Sequence, residues 1–209
     1  MSEQNGAAGT RQDTLYPQSG PVFIDTRDFV LRSLTPEDAD ERMLGWLASP
    51  EVATGLNIMP MGFDLNGLRK YIAGHDNRAG YLIGIFSKEE RLLIGFYSLF
   101  VVFPHMHATL TSIIGDKNHV GTRVYWRTVD ALLDYFYKNR GIYKIRAPIV
   151  ARNFRMLFNF MQNSRFVLEA VLRNESVVPT GGRTDVLMFT SFSDDGKGNP
   201  EFGIRNAEL

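Results

Sequence analysis

Apolar and polar positions along the chain repeat with two periods, and each change of period marks an element. Residues 22–34 carry closely spaced apolar residues on either side of Thr26–Arg27–Asp28, which predicts a strand or hairpin turning at those three residues. Thr35–Pro36–Glu37–Asp38 then opens a helix, with Thr at the cap, Pro in the first turn and acids beside the positive end of the dipole. That helix is expected to run to about residue 48, with Met43, Leu44 and Leu47 apolar along it. A second helix is expected over residues 65–73, where Leu68, Tyr71 and Ile72 share a face. Two strands follow, over residues 81–86 and 92–103, joined by the charged turn of residues 87–91; a third, over residues 108–114, ends at Gly115–Asp116. The longest helix is expected over residues 122–139, where Tyr125, Val129, Leu132, Leu133 and Phe136 form one broad stripe and Gly141 is the C-terminal cap. Residues 142–150 read as a strand, and residues 154–162 as a helix with Leu157, Phe160 and Met161 inward. Two last strands, near residues 167–173 and 185–191, flank Pro179–Thr180–Gly181–Gly182. Helices packed on a mixed, mostly antiparallel central sheet make the expected class α+β, an α/β three-layer arrangement with high strand content.

Both ends lack this periodicity. Residues 1–20 are rich in Gly, Gln, Ser and Thr, and residues 194–209 carry Asp194, Asp195, Gly196, Gly198 and Pro200, so both are expected to be flexible tails. No linker or internal repeat interrupts residues 21–193, which are expected to form one domain.

Composition narrows the chemistry. Among 209 residues, 23 Lys and Arg balance 23 Asp and Glu, and the resulting formal net charge of zero argues against a general nucleic-acid partner. Hydrophobic content of 44% with 22% charged residues belongs to a folded chain. With no cysteine, disulfide scaffolds, thiol nucleophiles and Cys-based zinc or iron–sulfur sites are excluded. No apolar run approaches the roughly 20 residues of a membrane span, so no membrane partner is expected. The polar N-terminal stretch has no signal-peptide core, and the expected location is the cytoplasm. His105 and His107 would share one face of a strand, but no third ligand has sensible spacing, so no metal site is expected.

Several local words occur in a telling order. Leu31–Arg32 and Thr35–Pro36–Glu37–Asp38 precede Trp46–Leu47 and Ser49–Pro50–Glu51–Val52. Leu93–Ile94–Gly95 lies in a central strand, and Ile114–Gly115–Asp116 stands before a Gly-bearing loop and the long helix. Ala151–Arg152–Asn153 follows a strand, and Leu168–Glu169–Ala170 through Arg173 leads to Gly182 and Asp185. Together these resemble the GNAT acetyltransferase superfamily, closest to the branch of the ribosomal-protein N-terminal acetyltransferases, over about residues 22–192. The resemblance implies the GNAT fold and direct transfer of an acetyl group from acetyl-CoA, as co-substrate, to an amine. The amine would be a small molecule or a protein N-terminus. The alternative is a GNAT module that binds acyl-CoA or an acyl carrier as a sensor or interaction domain. A homodimer is a further expectation, since dimers are common in the family.

The family's phosphate loop reads Arg/Gln-x-x-Gly-x-Gly/Ala, and the corresponding stretch here is Asn118–His119–Val120–Gly121–Thr122–Arg123. Gly121 fits, whereas Asn118 replaces the basic or amide residue and Arg123 replaces the second small residue. A Cβ at position 123 crowds the phosphates, although a guanidinium can instead hold them in a fork. Read without its neighbours, Gly121 is a turn residue ahead of a helix. The resemblance places pantetheine beside Ile113 and Ile114, and pyrophosphate on Val120, Gly121, Thr122, Arg123 and Val124, where a helix N-terminus presents unpaired N–H groups. It also brings Asn153 to the pantetheine arm, while Asn before Phe154 is equally an ordinary helix cap. Independently, residues 135–168 hold seven basic residues and no acid, which suits a polyphosphate ligand or a solvated surface. Arg155 is the strongest candidate among the seven.

Amine acetylation needs a neutral amine, a polarised thioester carbonyl and a proton for the departing thiolate. The family's usual base is a Glu whose position falls here on Thr109. His107, two residues earlier and so on the same strand face, is the base candidate; its other reading is a loop histidine in Pro104–His105–Met106–His107. The usual acid falls on Met156, Leu157 or Phe160, none of which has a hydroxyl. Either proximity supplies most of the rate, or catalysis is lost or altered. Trp126 faces away from the long helix's main stripe and is expected to line an acceptor pocket or a subunit contact. The acceptor is expected to enter from the side of the first two helices and residues 103–107.

Overall fold

The computed structural model describes residues 19–178 and 181–194, so the expected tails, apart from residues 19, 20 and 194, and half of the Pro179–Gly182 turn lie outside the described residues. The first hairpin forms as read: β1 (Phe23–Asp25) pairs antiparallel with β2 (Phe29–Ser33), and Thr26 closes the turn by accepting the Phe29 N–H.

The helix expected from residue 35 to about 48 splits in two. Pro36–Asp38 is one 3₁₀ turn, and Ala39 is extended at ψ 118°. Asp40 then caps α1 (Glu41–Ala48), accepting the Met43 N–H at 2.8 Å. The split follows from two acids only two residues apart, Asp38 and Asp40, doing different work. Asp38 folds back to take the Thr35 N–H and both Arg32 guanidinium nitrogens, leaving Asp40 to start the helix proper. A further helix, α2 (Pro50–Leu56), was not read from the pattern; Pro50 begins it and Asn57, at φ 55°, ends it. Helix α3 (Leu65–Ala73) has the expected bounds, with Leu68 and Ile72 buried.

Three antiparallel strands follow, β3 (Gly80–Ser87), β4 (Leu92–Val102) and β5 (His107–Ile114). Helix α4 (Val124–Arg140) crosses over to β6 (Lys144–Val150), and α5 (Phe154–Met161) leads to the closing pair β7 (Val167–Val177) and β8 (Arg183–Phe192). Helix α4 starts two residues later than expected because Gly121 at φ 83° and Arg123 at φ 64° are both left-handed. Met161 was expected inward and is 74% exposed, since α5 stops there and its apolar stripe ends with Phe160.

The strands form one eight-stranded sheet in the spatial order β1-β2-β3-β4-β5-β6-β8-β7. Among the described residues its one parallel pair is β5 with β6, the pair joined by the α4 crossover. The sheet thus matches the expected GNAT-type mixed, mostly antiparallel arrangement.

Strand alternation gives the sheet two different coverings. On one face Tyr97, Leu99, Ala108, Leu110, Ile145 and Ala147 pack in a core with Val129, Leu132, Leu133 and Phe136 of α4 and Phe160 of α5. On the other, Leu82, Phe96 and Ile113 pack with Met43, Trp46 and Leu47 of α1 and Leu68 and Ile72 of α3. Each fully buried Val, Leu, Ile, Met or Phe among them contributes about 2 kcal/mol of transfer free energy. The helices on this second face reach across β3 and β4 to Ile113 near the end of β5. Next to them lie half-exposed or exposed Phe100, Val102, His107, Thr109, Lys144 and Arg146.

Candidate functional site

β5 and β6 are paired over only three residue pairs, His107↔Lys144, Ala108↔Ile145 and Thr109↔Arg146. Beyond Thr109 the strands part. Residues 110–114 keep their partners on β4 but have none on the β6 side. The parting opens a cleft of about 800 Å³ that runs through the sheet. Residues 110–114 and 147–150 form its two long walls, Val52, Gly55 and Leu56 of α2 close it on one sheet face, and Asn153 to Phe160 of α5 close it on the other.

At the mouth stands the loop between β5 and α4. Asp116 organises it: its carboxylate accepts the Asn118 N–H at 3.0 Å and faces His119 Nδ1 at 2.9 Å, while its carbonyl accepts the N–H groups of His119 and Val120. The His119 hydrogen bond, reinforced by the Asn118 N–H, holds the Asp116 carboxyl below the usual carboxylate range against the opposing effect of partial burial. His119 Nε2 also faces Glu90, at 3.7 Å. Past Gly121 the chain enters α4 with no side-chain cap, and Arg127 is the first residue there whose N–H is bonded to a carbonyl, that of Arg123. The helix therefore begins with unused donors beside the cleft, an arrangement suited to an anion.

Of the residues singled out from the sequence, Ile113, Ile114, Val120, Gly121, Arg123, Val124, Asn153 and Arg155 all line the cleft. Thr122 does not: its hydroxyl turns back to donate to the His119 carbonyl at 2.7 Å. A Cβ at Gly121 would meet nothing within 4 Å, so glycine is required there by its positive φ and not by crowding. Arg123 is exposed and, like Arg155, has no acidic partner among the described residues. Asn153 caps α5 by accepting the Met156 N–H at 3.3 Å, and its amide donates to the Gly55 carbonyl at 3.0 Å, clamping α2 to α5 across the cleft.

The seven-residue basic run does not gather into one patch. Arg140 is buried and donates to the Gly20 carbonyl and the Tyr135 hydroxyl. Lys144 pairs with Glu169, Arg165 pairs with Asp134, and Arg152 donates to Asn57 Oδ1 at 2.6 Å. Only Arg155 of the seven reaches the cleft, because adjacent residues on strands and helices point in different directions.

His107 lies outside the cleft lining, on the strand face of Thr109 and two residues before the strands part. Its Nδ1 is buried without a hydrogen-bond partner, and its ring stacks on His105 with centroids 5.8 Å apart. Burial, and after it the nearby Arg146, His105 and Lys144, push its pKa below the ordinary imidazole value. The neutral, proton-accepting form is thus favoured at neutral pH. His105 and His107 find no third ligand: no group of three His, Asp or Glu suited to a metal occurs among the described residues.

Met156 and Phe160, at the positions expected for the acid, line the cleft, and Leu157 does not. Trp126 lines it too, resting edge-on against Phe160 at 5.3 Å. The sequence reading missed the α2 wall and the polar Asn159, Gln162 and Asn163 of the α5 side. The available signal for α2 was Ser49–Pro50–Glu51, a helix-start word in front of a segment too short to show a period.

A family model described as an acetyltransferase (GNAT) domain matches residues 28–163. No curated protein matches the chain. Among solved structures, a spermidine N-acetyltransferase from Vibrio cholerae in complex with CoA and spermine is similar in fold, with TM-score 0.70 and 20% identity, over 80% of this chain and 96% of that one. An acetyltransferase from Salmonella typhimurium that modifies the N-terminal serine of ribosomal protein L7/L12 has TM-score 0.71 and 16% identity, over 83% of this chain and 100% of its own. A probable GNAT-family acetyltransferase from Chromobacterium violaceum has TM-score 0.71 and 17% identity, over 95% of this chain and 98% of its own.

Proposed function

The chain belongs to the GNAT acetyltransferase family, and from that membership we propose that it transfers the acetyl group of acetyl-CoA directly to an amine. The observation that carries this reading is the parting of β5 and β6 directly beside the uncapped start of α4. A strand edge left unpaired over residues 110–114 offers backbone donors and acceptors to an extended, amide-bearing arm such as pantetheine. Ile113 and Ile114 lie on that edge. At the cleft mouth the backbone N–H groups of Gly121, Arg123 and Val124 would hold the pyrophosphate. The guanidinium groups of Arg123 and Arg155 would neutralise it from either side. Thr122 would contribute no donor, since its hydroxyl and its N–H are both committed to the His119 carbonyl.

The acceptor amine would approach from the α2 side of the sheet. Its nitrogen bonds to the acetyl carbon, the carbon–sulfur bond breaks, and the products are an amide and CoA. The amine's proton goes to His107, directly or through water, and the departing thiolate is protonated from solvent. Thiolate is a good leaving group, so orientation of the amine in the cleft supplies most of the rate. Spermidine and a ribosomal protein N-terminus are acceptors of the similar structures, and the reading covers both small-molecule and protein amines.

The lack of a hydroxyl at Met156, Leu157 and Phe160 favours a second reading, a module that binds acyl-CoA without transferring it. Acetyl-CoA consumption with a panel of amines, followed by thiol release, separates the two. Amine-dependent thiol release supports transfer, and tight binding with no release under any amine supports the module.

A further inference from the structure

The sheet face beside the parting strands carries charges that the loop and α4 do not use. Arg146 is the last residue of β6 paired with β5, opposite Thr109, so it stands at the point where the strands separate. Ile145 and Ala147 on either side of it are buried against α4 and α5, which puts Arg146 on the opposite, uncovered face with His107 and Lys144. Among the described residues, one carboxylate pairs with Lys144 and Arg146, that of Glu169, and it is already engaged. Its Oε1 takes the Lys144 ammonium at 2.5 Å and its Oε2 takes the Thr190 hydroxyl at 2.6 Å. Arg146 Nε lies 3.9 Å from Oε2, beyond hydrogen-bond reach, and no hydrogen bond from this guanidinium occurs among the described residues. Two cations therefore share one carboxylate, and the one left with unused donors is a planar fork about one-third exposed to solvent.

We infer that Arg146 anchors a carboxylate carried by the acceptor, so that the preferred substrate is an amine with a carboxylate a few bonds from its nitrogen. The inference rests on the acetyl-transfer reading, because that reading brings the amine to the parting of β5 and β6. Exposed Phe100 and Val102 on the same face supply apolar floor for the acceptor's carbon skeleton. A polyamine fits this face poorly, since each of its charges would meet Arg146 and Lys144 at close range. A free amino acid and a peptide N-terminus followed by an acidic residue present the same chemistry.

Three matched probes separate the sources: an amino acid against its amide, a peptide with Asp in its second position against the Asn peptide, and spermidine. The full chain should acetylate at least one carboxylate-bearing amine with kcat/KM about tenfold or more above its neutral counterpart and above spermidine. Arg146→Gln should erase that preference through KM of the amine, while acetyl-CoA affinity by calorimetry and the thermal midpoint stay unchanged. Arg146→Lys should keep part of it. Which pair shows the preference identifies the source. Equal or better use of the neutral amines or of spermidine overturns the inference, as does a preference that survives Arg146→Gln. Acetyl-CoA binding without turnover of any carboxylate-bearing amine also overturns it. Absence of acetyl-CoA binding is a different result, and it strikes the acetyl-transfer reading itself.

Discussion

The indole of Trp46 occupies the space that a side chain at Gly115 would need: a Cβ built there falls within contact of three ring atoms. α1 and the turn leaving β5 are thereby pressed together, and the Gly115 and Asp116 N–H groups both reach the Ile94 carbonyl, at 3.0 and 3.1 Å. Gly115→Ala should force the ring aside and lower stability by about 1–3 kcal/mol, the usual range for overpacking. A shift of the urea midpoint measures it; an unchanged midpoint would mean that the contact is loose.

Asp116 ties the loop through the Asn118 N–H and His119. The hydrogen bond from His119 comes first among the causes that lower its pKa, with the Asn118 N–H also lowering it and partial burial opposing. Because the folded-state value lies below the unfolded one, this stabilisation is present above the ordinary carboxylate range and is lost as pH falls through the lowered value. Asp116→Asn should therefore be less acid-sensitive than the parent between about pH 5 and pH 3. It should also bind acetyl-CoA more weakly at pH 7. Parallel urea curves for the two proteins across that range would contradict the assignment.

Gly121→Val places a β-branched residue at φ 83° with open space around it. The strain at that φ costs about 1–3 kcal/mol, so the thermal midpoint should fall by a few degrees while the fold is kept. Acetyl-CoA affinity should fall by about tenfold or more as the N–H groups lose their aim. Unchanged affinity would remove the loop from the site.

How much of this was legible depends on the kind of signal. α3 could be read to its bounds because Leu68 and Ile72 recur at helical spacing in a segment of nine residues. The start of α4 was misplaced because the left-handed Arg123 is unusual for a residue with a side chain. Residues 113–114, 120–121 and 123–124 of the cleft could be named from the resemblance carried by local words, which survive folding because they describe backbone. Arg146 and Glu169 did not stand out, since β6 and β7 are 23 residues apart along the chain at those positions and meet only through β8. Likewise, seven basic residues close in sequence were sent to different places by strand alternation and by partners such as Asp134.

His107 is held below the ordinary imidazole pKa by burial and then by Arg146, His105 and Lys144. As the base, it would give kcat/KM an acidic limb centred below about pH 6.5, with a plateau above it. His107→Gln should remove that limb and lower kcat by about 10²-fold, leaving KM for acetyl-CoA unchanged. An unaltered pH profile in the variant would exclude His107 and leave orientation as the source of rate.

The central claim is that the cleft between β5 and β6 receives CoA, and calorimetric titration with acetyl-CoA and with free CoA tests it most directly. The expected result is saturable micromolar binding of both, weakened about tenfold by Arg123→Ala and by Arg155→Ala and further in the double variant. No heat from either ligand, or affinity indifferent to both arginines, would contradict it.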